Sequence, residues 1–129
     1  ETLLQQGITP VVCPITHNGD GQLLNTNADT IAQELAKALS KIYKVHLVYS
    51  FEKEGVLINA EDETTVIKNI TPVYYQQLKE EGTIFAGMIP KLDNAFAALR
   101  SGVAKVIIGK AEKLQQLVDN TAGTTIIYE

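Results

Sequence analysis

Residues 24–29 read LNTNAD and place two amides and a carboxylate at the start of a predicted helix. Asn27 is a favourable N-cap, because its side-chain oxygen can accept an otherwise unpaired backbone N–H, and Asp29 then lies in the first turn, where negative charge is stabilised. A second interpretation uses Asn25 and Asp29 together. A helix that begins early would place both on one face, where they could hold one ligand. The stretch therefore predicts a helix cap alone or a cap that also belongs to a binding site.

The hydrophobic pattern around this stretch predicts an α/β fold. Helical spacing of apolar residues continues from Ala28 to Ile42, and the opposite, solvated face is expected to carry Gln33, Glu34, Lys37 and Lys41. Apolar runs predict strands over 8–16, 45–49, 103–108 and 124–128, with further helices over 71–82, 87–101 and 111–118. Residues 51–65 are expected to form a surface hairpin or flap. This order favours a three-layer α/β/α domain over residues 1–129, with an open, mostly parallel sheet.

Composition narrows the class of protein. The chain has 129 residues, 45% of them hydrophobic, a length and composition typical of one globular domain with a real core. The net charge of −4 and the scattered Lys and Arg residues argue against a nucleic-acid or membrane partner. The single Cys13 lies in an apolar run and is expected to be a buried thiol. One cysteine cannot form an internal disulfide, which together with the lack of a signal peptide favours the cytoplasm.

Lys91 is a cation in the first turn of a predicted helix, where the helix dipole favours anions by about 0.3–1 kcal/mol. A helix N-terminus that follows Gly87 and carries a Lys suits a phosphate or another anion, although a solvated Lys in a poor position would give the same pattern. The common nucleotide motifs are absent. The segment 82–87, GTIFAG, is followed by Met-Ile where a P-loop requires Lys and Ser or Thr, and no Gly-x-Gly-x-x-Gly follows a strand.

The two segments LNTNAD at 24–29 and GTIFAGMIPK at 82–91 together resemble the acetylglutamate kinases of the amino acid kinase superfamily. The resemblance is to their carboxyl-terminal, ATP-binding half, and it extends to GTTI at 123–126. It implies an amino acid kinase fold and phosphorylation of the γ-carboxylate of N-acyl-L-glutamate in arginine biosynthesis. Phosphoryl transfer relies mainly on positioning and electrostatic stabilisation, which agrees with a Lys at a helix N-terminus.

The resemblance also implies roles for individual residues. Asn25 is expected to bind the acylated glutamate, Asp29 to orient catalytic lysines, and Lys91 to stabilise charge on the transferring phosphoryl group. The nucleotide contacts that the family implies are Ser50, Phe51, Gly55, Val56, Thr83, Ile84 and Phe85. The donor is ATP with Mg²⁺, and the metal is expected to be held largely by phosphate oxygens, because the sequence offers no set of carboxylates dedicated to it.

The chain is expected to be a fragment. Residues 1–7 lack an initiator Met and read as the end of a helix closed by Gly7. The resemblance implies that an amino-terminal half with most of the acylglutamate pocket is missing, so the isolated chain is expected to be inactive and the complete enzyme to be a homo-oligomer. The alternatives are a glutamate 5-kinase-like enzyme and a nucleotide-binding module without catalytic activity.

Overall fold

The computed structural model describes residues 1–84 and 86–128 and has the predicted α/β architecture. The helices and strands follow in this order: α1 (Thr2–Gln5), β1 (Ile15–His17), β2 (Leu23–Asn25), α2 (Ala28–Leu39), β3 (His46–Phe51), β4 (Asn69–Ile70), α3 (Pro72–Glu80), α4 (Ile89–Arg100), β5 (Lys105–Lys110), α5 (Leu114–Val118) and β6 (Thr124–Ile126). Short 3₁₀ helices at Ala86–Met88 and Ala111–Lys113 precede α4 and α5. No helix in the described part of the chain has both the length and the apolar character needed to cross a membrane.

The main sheet has the strand order β3-β5-β6-β4. Strands β3 and β5 pair in parallel along their full length, from His46 opposite Lys105 to Phe51 opposite Lys110. Strand β6 pairs antiparallel with β5 and parallel with β4. Two of these three pairings are parallel, which confirms the predicted, mostly parallel sheet.

Helices cover both faces of this sheet. Helices α2 and α4 pack on β3 and β5 from one side, where Val106 and Ile108 join the main hydrophobic core. Alternation along β5 directs Ile107 and Gly109 to the other side, toward α5. A Cβ at Gly109 would lie 2.5 Å from the Leu117 side chain, so α5 can approach the strand this closely only because the strand has a glycine there.

Helix α2 begins where the sequence predicts but buries a different face. The Asn27 side chain caps it by accepting hydrogen bonds from the backbone N–H groups of Asp29 and Thr30, at 2.8 and 3.3 Å. The assignment of Gln33 to the solvated face is wrong, since only 7% of this residue is exposed. Ala36 is buried on the same side as Gln33, and Leu35, one of the apolar residues with helical spacing, is 41% exposed. The buried face of α2 is therefore rotated away from the face that the apolar spacing predicts.

The strand predicted over 8–16 is also wrong in most of its length. Only Ile15–His17 is extended, and it pairs with β2 in a separate antiparallel hairpin rather than with the main sheet. Val11 is 96% exposed, and Cys13, expected to be buried, is exposed as well. Pro10 and Pro14 lack the N–H groups that a central strand needs, and the Asn-Gly and Asp-Gly turn at 18–21 supplies a nearby partner strand instead.

The predicted flap between β3 and β4 is confirmed as a hairpin-like segment. Leu57 and Val66 form an antiparallel bridge, and the Ile67 N–H donates to the Val56 carbonyl at 2.9 Å. Strand β4, which follows the flap, is not predicted from the sequence because it has only two residues. The base of the flap is fixed by the fully buried Thr124 of β6. Its hydroxyl accepts from the Val56 N–H at 2.8 Å and donates to the Ile67 carbonyl at 2.7 Å.

We expect Thr124→Val to lower the free energy of unfolding by about 1–3 kcal/mol, because the isosteric side chain leaves two buried backbone groups without partners. Thr124→Ser keeps the hydroxyl and serves as the control, with a smaller loss. Urea unfolding followed by circular dichroism measures both. Equal losses in the two variants would show that the hydroxyl does not hold the flap.

Candidate active site

An ion pair joins the first turns of α2 and α4. The Nζ of Lys91 lies 2.6 Å from Oδ2 of Asp29, and the two side chains are 17% and 32% exposed. Helices α2 and α4 pack against each other, so their N-termini bring these residues together across a long stretch of sequence. Both residues were singled out from the sequence, and the structure places them in direct contact.

Two aromatic rings lie beneath the Lys91 ammonium group. Tyr49 and Phe51 alternate along β3 and so occupy the same face, with ring centroids 5.0 and 6.0 Å from Nζ. The Tyr49 hydroxyl donates a long hydrogen bond, 3.4 Å, to the backbone carbonyl of Asp29. Burial, together with the negative charge of Asp29, raises the pKa of Tyr49 to about 12. Sequence reasoning missed Tyr49, although its two-residue spacing from Phe51 was visible.

A cleft of about 320 Å³ opens beside this cluster, at the carboxyl end of β3. Ligand clefts in open α/β sheets lie at this end of the strands. Of the predicted site residues, those that line it are Phe51, Gly55, Val56, Thr83, Ile84 and Lys91. Ser50 is exposed and does not line it, because the alternation of β3 turns its side chain to the face opposite Tyr49 and Phe51. Phe85 lies outside the described residues.

The flap and the segment before α4 supply the rest of the lining. The residues that sequence reasoning missed are Glu52, Lys53, Leu57, Ala60, Glu61, Gly87 and Met88. Gly87 and Met88 lie in the segment 82–91 that the sequence singles out, although neither was assigned as a ligand contact. The flap residues belong to no motif and reach the cleft through the position of the flap. Val56, Leu57 and Ile84 give the cleft apolar walls suited to a planar ring. The charged residues that line it are two lysines, Lys53 and Lys91, and two glutamates, Glu52 and Glu61.

The N-terminus of α4 faces the cleft without a side-chain cap. Met88 occupies the cap position and its side chain accepts no hydrogen bond, and the first turn contains no acidic residue. Gly87 and Met88 line the cleft together with Lys91. The partial positive charge of the helix end therefore adds to that of the ammonium group. This combination suits an anion with several oxygens, such as a phosphate chain.

Asn25 is placed differently from the sequence expectation. Helix α2 begins at Ala28, so the early start that would put Asn25 and Asp29 on one helical face is wrong. Asn25 instead ends β2, is exposed, and pairs with Ile15 across the hairpin. Its side chain forms no hydrogen bond within the described part of the structure. The implied role of Asn25 in binding the acylated glutamate stays a prediction.

The chain matches the Amino acid kinase family over residues 1–110. The chain belongs to this family. An acetylglutamate kinase of Cytophaga hutchinsonii is 54% identical to it over 127 residues, which are 97% of this chain and 48% of that protein. An acetylglutamate kinase of Thermus thermophilus is 40% identical over 124 residues, 95% of this chain and 48% of that protein. The chain thus spans about half the length of the curated relatives it matches.

Solved structures agree with this membership of the amino acid kinase family. The N-acetylglutamate synthase of Neisseria gonorrhoeae, in complex with coenzyme A and L-arginine, superimposes with a TM-score of 0.82 at 25% identity. That match covers 99% of this chain and 30% of the synthase chain. A carbamate kinase of Giardia superimposes with a TM-score of 0.73 at 20% identity over 99% of this chain and 46% of the carbamate kinase chain, which shows the shared fold alone.

In this amino acid kinase chain the flap is tied to the sheet by ion pairs. Glu54 accepts a hydrogen bond from Lys113 at 2.7 Å and lies 3.8 Å from Lys110, which in turn lies 3.6 Å from Glu63. The hydrogen bond from Lys113, followed by the nearby positive charges of Lys110 and Lys68, holds the pKa of the Glu54 carboxyl below its ordinary value. The ionised carboxylate therefore favours the folded state.

We expect Glu54→Gln to lower the free energy of unfolding at pH 7 by at most about 1 kcal/mol, as is usual for ion pairs near the surface. Because the pKa of Glu54 is lower in the folded state, this contribution is present above about pH 4.5 and is lost as the pH falls further. Denaturant unfolding at pH 7 and pH 3 tests it, with the exposed Glu112→Gln as the control. A difference between wild type and Glu54→Gln that stays the same at both pH values would contradict it.

Proposed function

We propose that this chain is the ATP-binding half of an acetylglutamate kinase, which transfers a phosphoryl group from ATP to the γ-carboxylate of N-acyl-L-glutamate in arginine biosynthesis. The ion pair between Lys91 and Asp29 at the cleft carries the proposal. A nucleotide-binding module without catalysis has no need of a cation held beside the phosphate site. The identity of about 50% to several acetylglutamate kinases supports the same choice of enzyme.

In this proposal the adenine ring lies between the apolar walls of the cleft, and the phosphate chain extends toward the N-terminus of α4. The Lys91 ammonium group then stabilises the charge that spreads over the phosphoryl oxygens in the transition state. Asp29 holds that ammonium group in place before the phosphates arrive, and Asn25 contributes to binding the acylated acceptor.

Mg²⁺ belongs to the substrate in this proposal. Among the described residues no group of three His, Cys, Asp or Glu side chains could hold a metal ion, and the Asp29 carboxylate is already paired with Lys91. The ion arrives with ATP, held by the phosphate oxygens.

The remaining half of the relatives' length is proposed to supply most of the acylglutamate pocket and the surface through which a homo-oligomer forms. The 129-residue chain alone is accordingly expected to be inactive. The complete enzyme is expected in the cytoplasm, in keeping with a role in amino acid biosynthesis.

In the complete enzyme we expect Lys91→Ala to lower kcat for N-acetyl-L-glutamate by about 10²–10³-fold, with a much smaller rise in KM for ATP. The reason is that the cation acts on charge that develops only in the transition state. Lys79→Ala is a matched control, because Lys79 also lies 5.0 Å from an aromatic ring and near a carboxylate but does not line the cleft. An unchanged kcat in Lys91→Ala, or a preference of the enzyme for free L-glutamate, would reject the proposed function.

MgATP is expected to bind the isolated chain with a dissociation constant in the high micromolar range or weaker, because only part of a closing cleft is present. Isothermal titration calorimetry measures this affinity directly. Leu57→Asp places a charge in the apolar wall at a half-buried residue and should abolish the heat. Absence of heat with the unmodified chain at millimolar MgATP would contradict a nucleotide site in this cleft.

A further inference from the structure

We propose that Tyr49 and Phe51 form an aromatic platform that positions the Lys91 ammonium group for phosphoryl transfer. This inference rests on the proposed function, because it concerns the same cation. The platform consists of these two rings, which share one face of β3 directly beneath the first turn of α4. In this role the two rings affect the reaction only by holding Lys91, so both act as positioning residues.

A lysine side chain needs such support because it has four rotatable bonds and a charge without directional preference. Asp29 fixes the ammonium group on one side at 2.6 Å. The negative faces of the two rings attract it from below at 5.0 and 6.0 Å. The side that remains open is the cleft, which Lys91 and Phe51 both line. The ammonium group is thus held by Asp29 on one side and by the rings on another, and its open side faces the cleft.

Tyr49 also acts on the other member of the ion pair. While its ring lies under the Lys91 ammonium group, its hydroxyl donates to the backbone carbonyl of Asp29. Only 3% of Tyr49 is exposed, so both contacts are shielded from water. The hydroxyl, whose pKa is raised to about 12 by burial and by the charge of Asp29, is protonated at physiological pH and able to donate. One buried side chain therefore contacts both members of the ion pair, through its ring to Lys91 and through a long, weak hydrogen bond to Asp29.

A second cation over a ring in the same molecule shows why the surroundings matter. Lys79 lies 5.0 Å from the Tyr75 ring, the same distance as Lys91 from Tyr49. The Lys79 side chain is 36% exposed and its carboxylate partner, Asp93, is 3.9 Å away. Lys91 is half as exposed and its partner is more than 1 Å closer. Attraction between cation and ring is stronger where water is excluded, so the rings hold Lys91 more firmly than the Tyr75 ring holds Lys79.

The test uses the complete enzyme with Tyr49→Leu, Tyr49→Phe and Phe51→Leu, each also combined with Lys91→Ala. We expect Tyr49→Leu to lower kcat by about 3- to 30-fold with little change in KM for ATP, since Tyr49 does not line the cleft. Tyr49→Phe keeps the ring and should retain kcat within about twofold. In the Lys91→Ala background Tyr49→Leu should cause no further loss, because a positioning residue has no effect once its target is gone.

Phe96→Leu is the control for general damage, because it also shortens a buried aromatic side chain but, among the residues that the structure describes, no cation lies over its ring. It should lower stability and leave kcat unchanged. If Tyr49→Leu does not fold, Phe51→Leu replaces it. Because Phe51 also lines the cleft, its effect on kcat is then judged only by comparing Phe51→Leu with and without Lys91→Ala. Equal losses from Tyr49→Leu with and without Lys91, or an unchanged kcat in both leucine variants, would overturn the platform.

A measurement without catalysis separates this inference from the proposed function. Aromatic rings at these distances shift the ε-methylene proton resonance of Lys91 upfield, and Tyr49→Leu should move it back toward the value of an exposed lysine. If Lys91→Ala retains kcat but this shift is present, the proposed function fails while the contact between platform and cation stands. If the shift is absent in the wild type, the platform itself is wrong.

Discussion

The packing of α2 against α4 places two helix N-termini, each with partial positive charge, close to one another. The ion pair between Asp29 and Lys91 makes this arrangement favourable. Asp29 lies in the first turn of α2, where a carboxylate is stabilised by the dipole of its own helix, and it also neutralises the cation that begins α4. Without Asp29, an ammonium group and two uncapped or partly capped helix ends would face each other across a partly buried interface. The contact also lies at the edge of the cleft, since Lys91 lines it.

The same interaction explains why a poorly placed lysine is tolerated. The helix dipole destabilises Lys91, because a cation at the N-terminus of a helix lies next to partial positive charge. Asp29 and the rings of Tyr49 and Phe51 compensate for this locally. A lysine that was simply solvated would need none of these partners. The local conflict between residue type and helix position therefore identifies the region where a site is built, as conflicts of this kind often do.

The sequence was most informative where local chemistry determines the structure. Asn27 caps α2 because its side-chain oxygen accepts a backbone N–H that the first turn of the helix leaves unpaired. The Asn-Gly turn closes the small hairpin. Prediction failed where the result depends on distant partners. The apolar run around Cys13 has strand character but two prolines, and its exposure could be seen only once its neighbours were known. Gln33 is buried for a similar reason, since the orientation of α2 depends on β3 and α4.

The candidate site shows the same division. Lys91 stands out because a cation is unfavourable at a helix start, and Asp29 because a carboxylate is favourable there. Their contact, however, depends on how the two helices pack. The flap residues of the cleft carry no local signal, and they become part of the site because the flap is fixed at its base. The groups that fix it, the Thr124 hydroxyl and the Lys113 ammonium group, do not line the cleft. Anchoring and lining are thus carried by different side chains, so the cleft wall that includes Gly55 and Val56 keeps its position without an anchoring side chain entering the cleft.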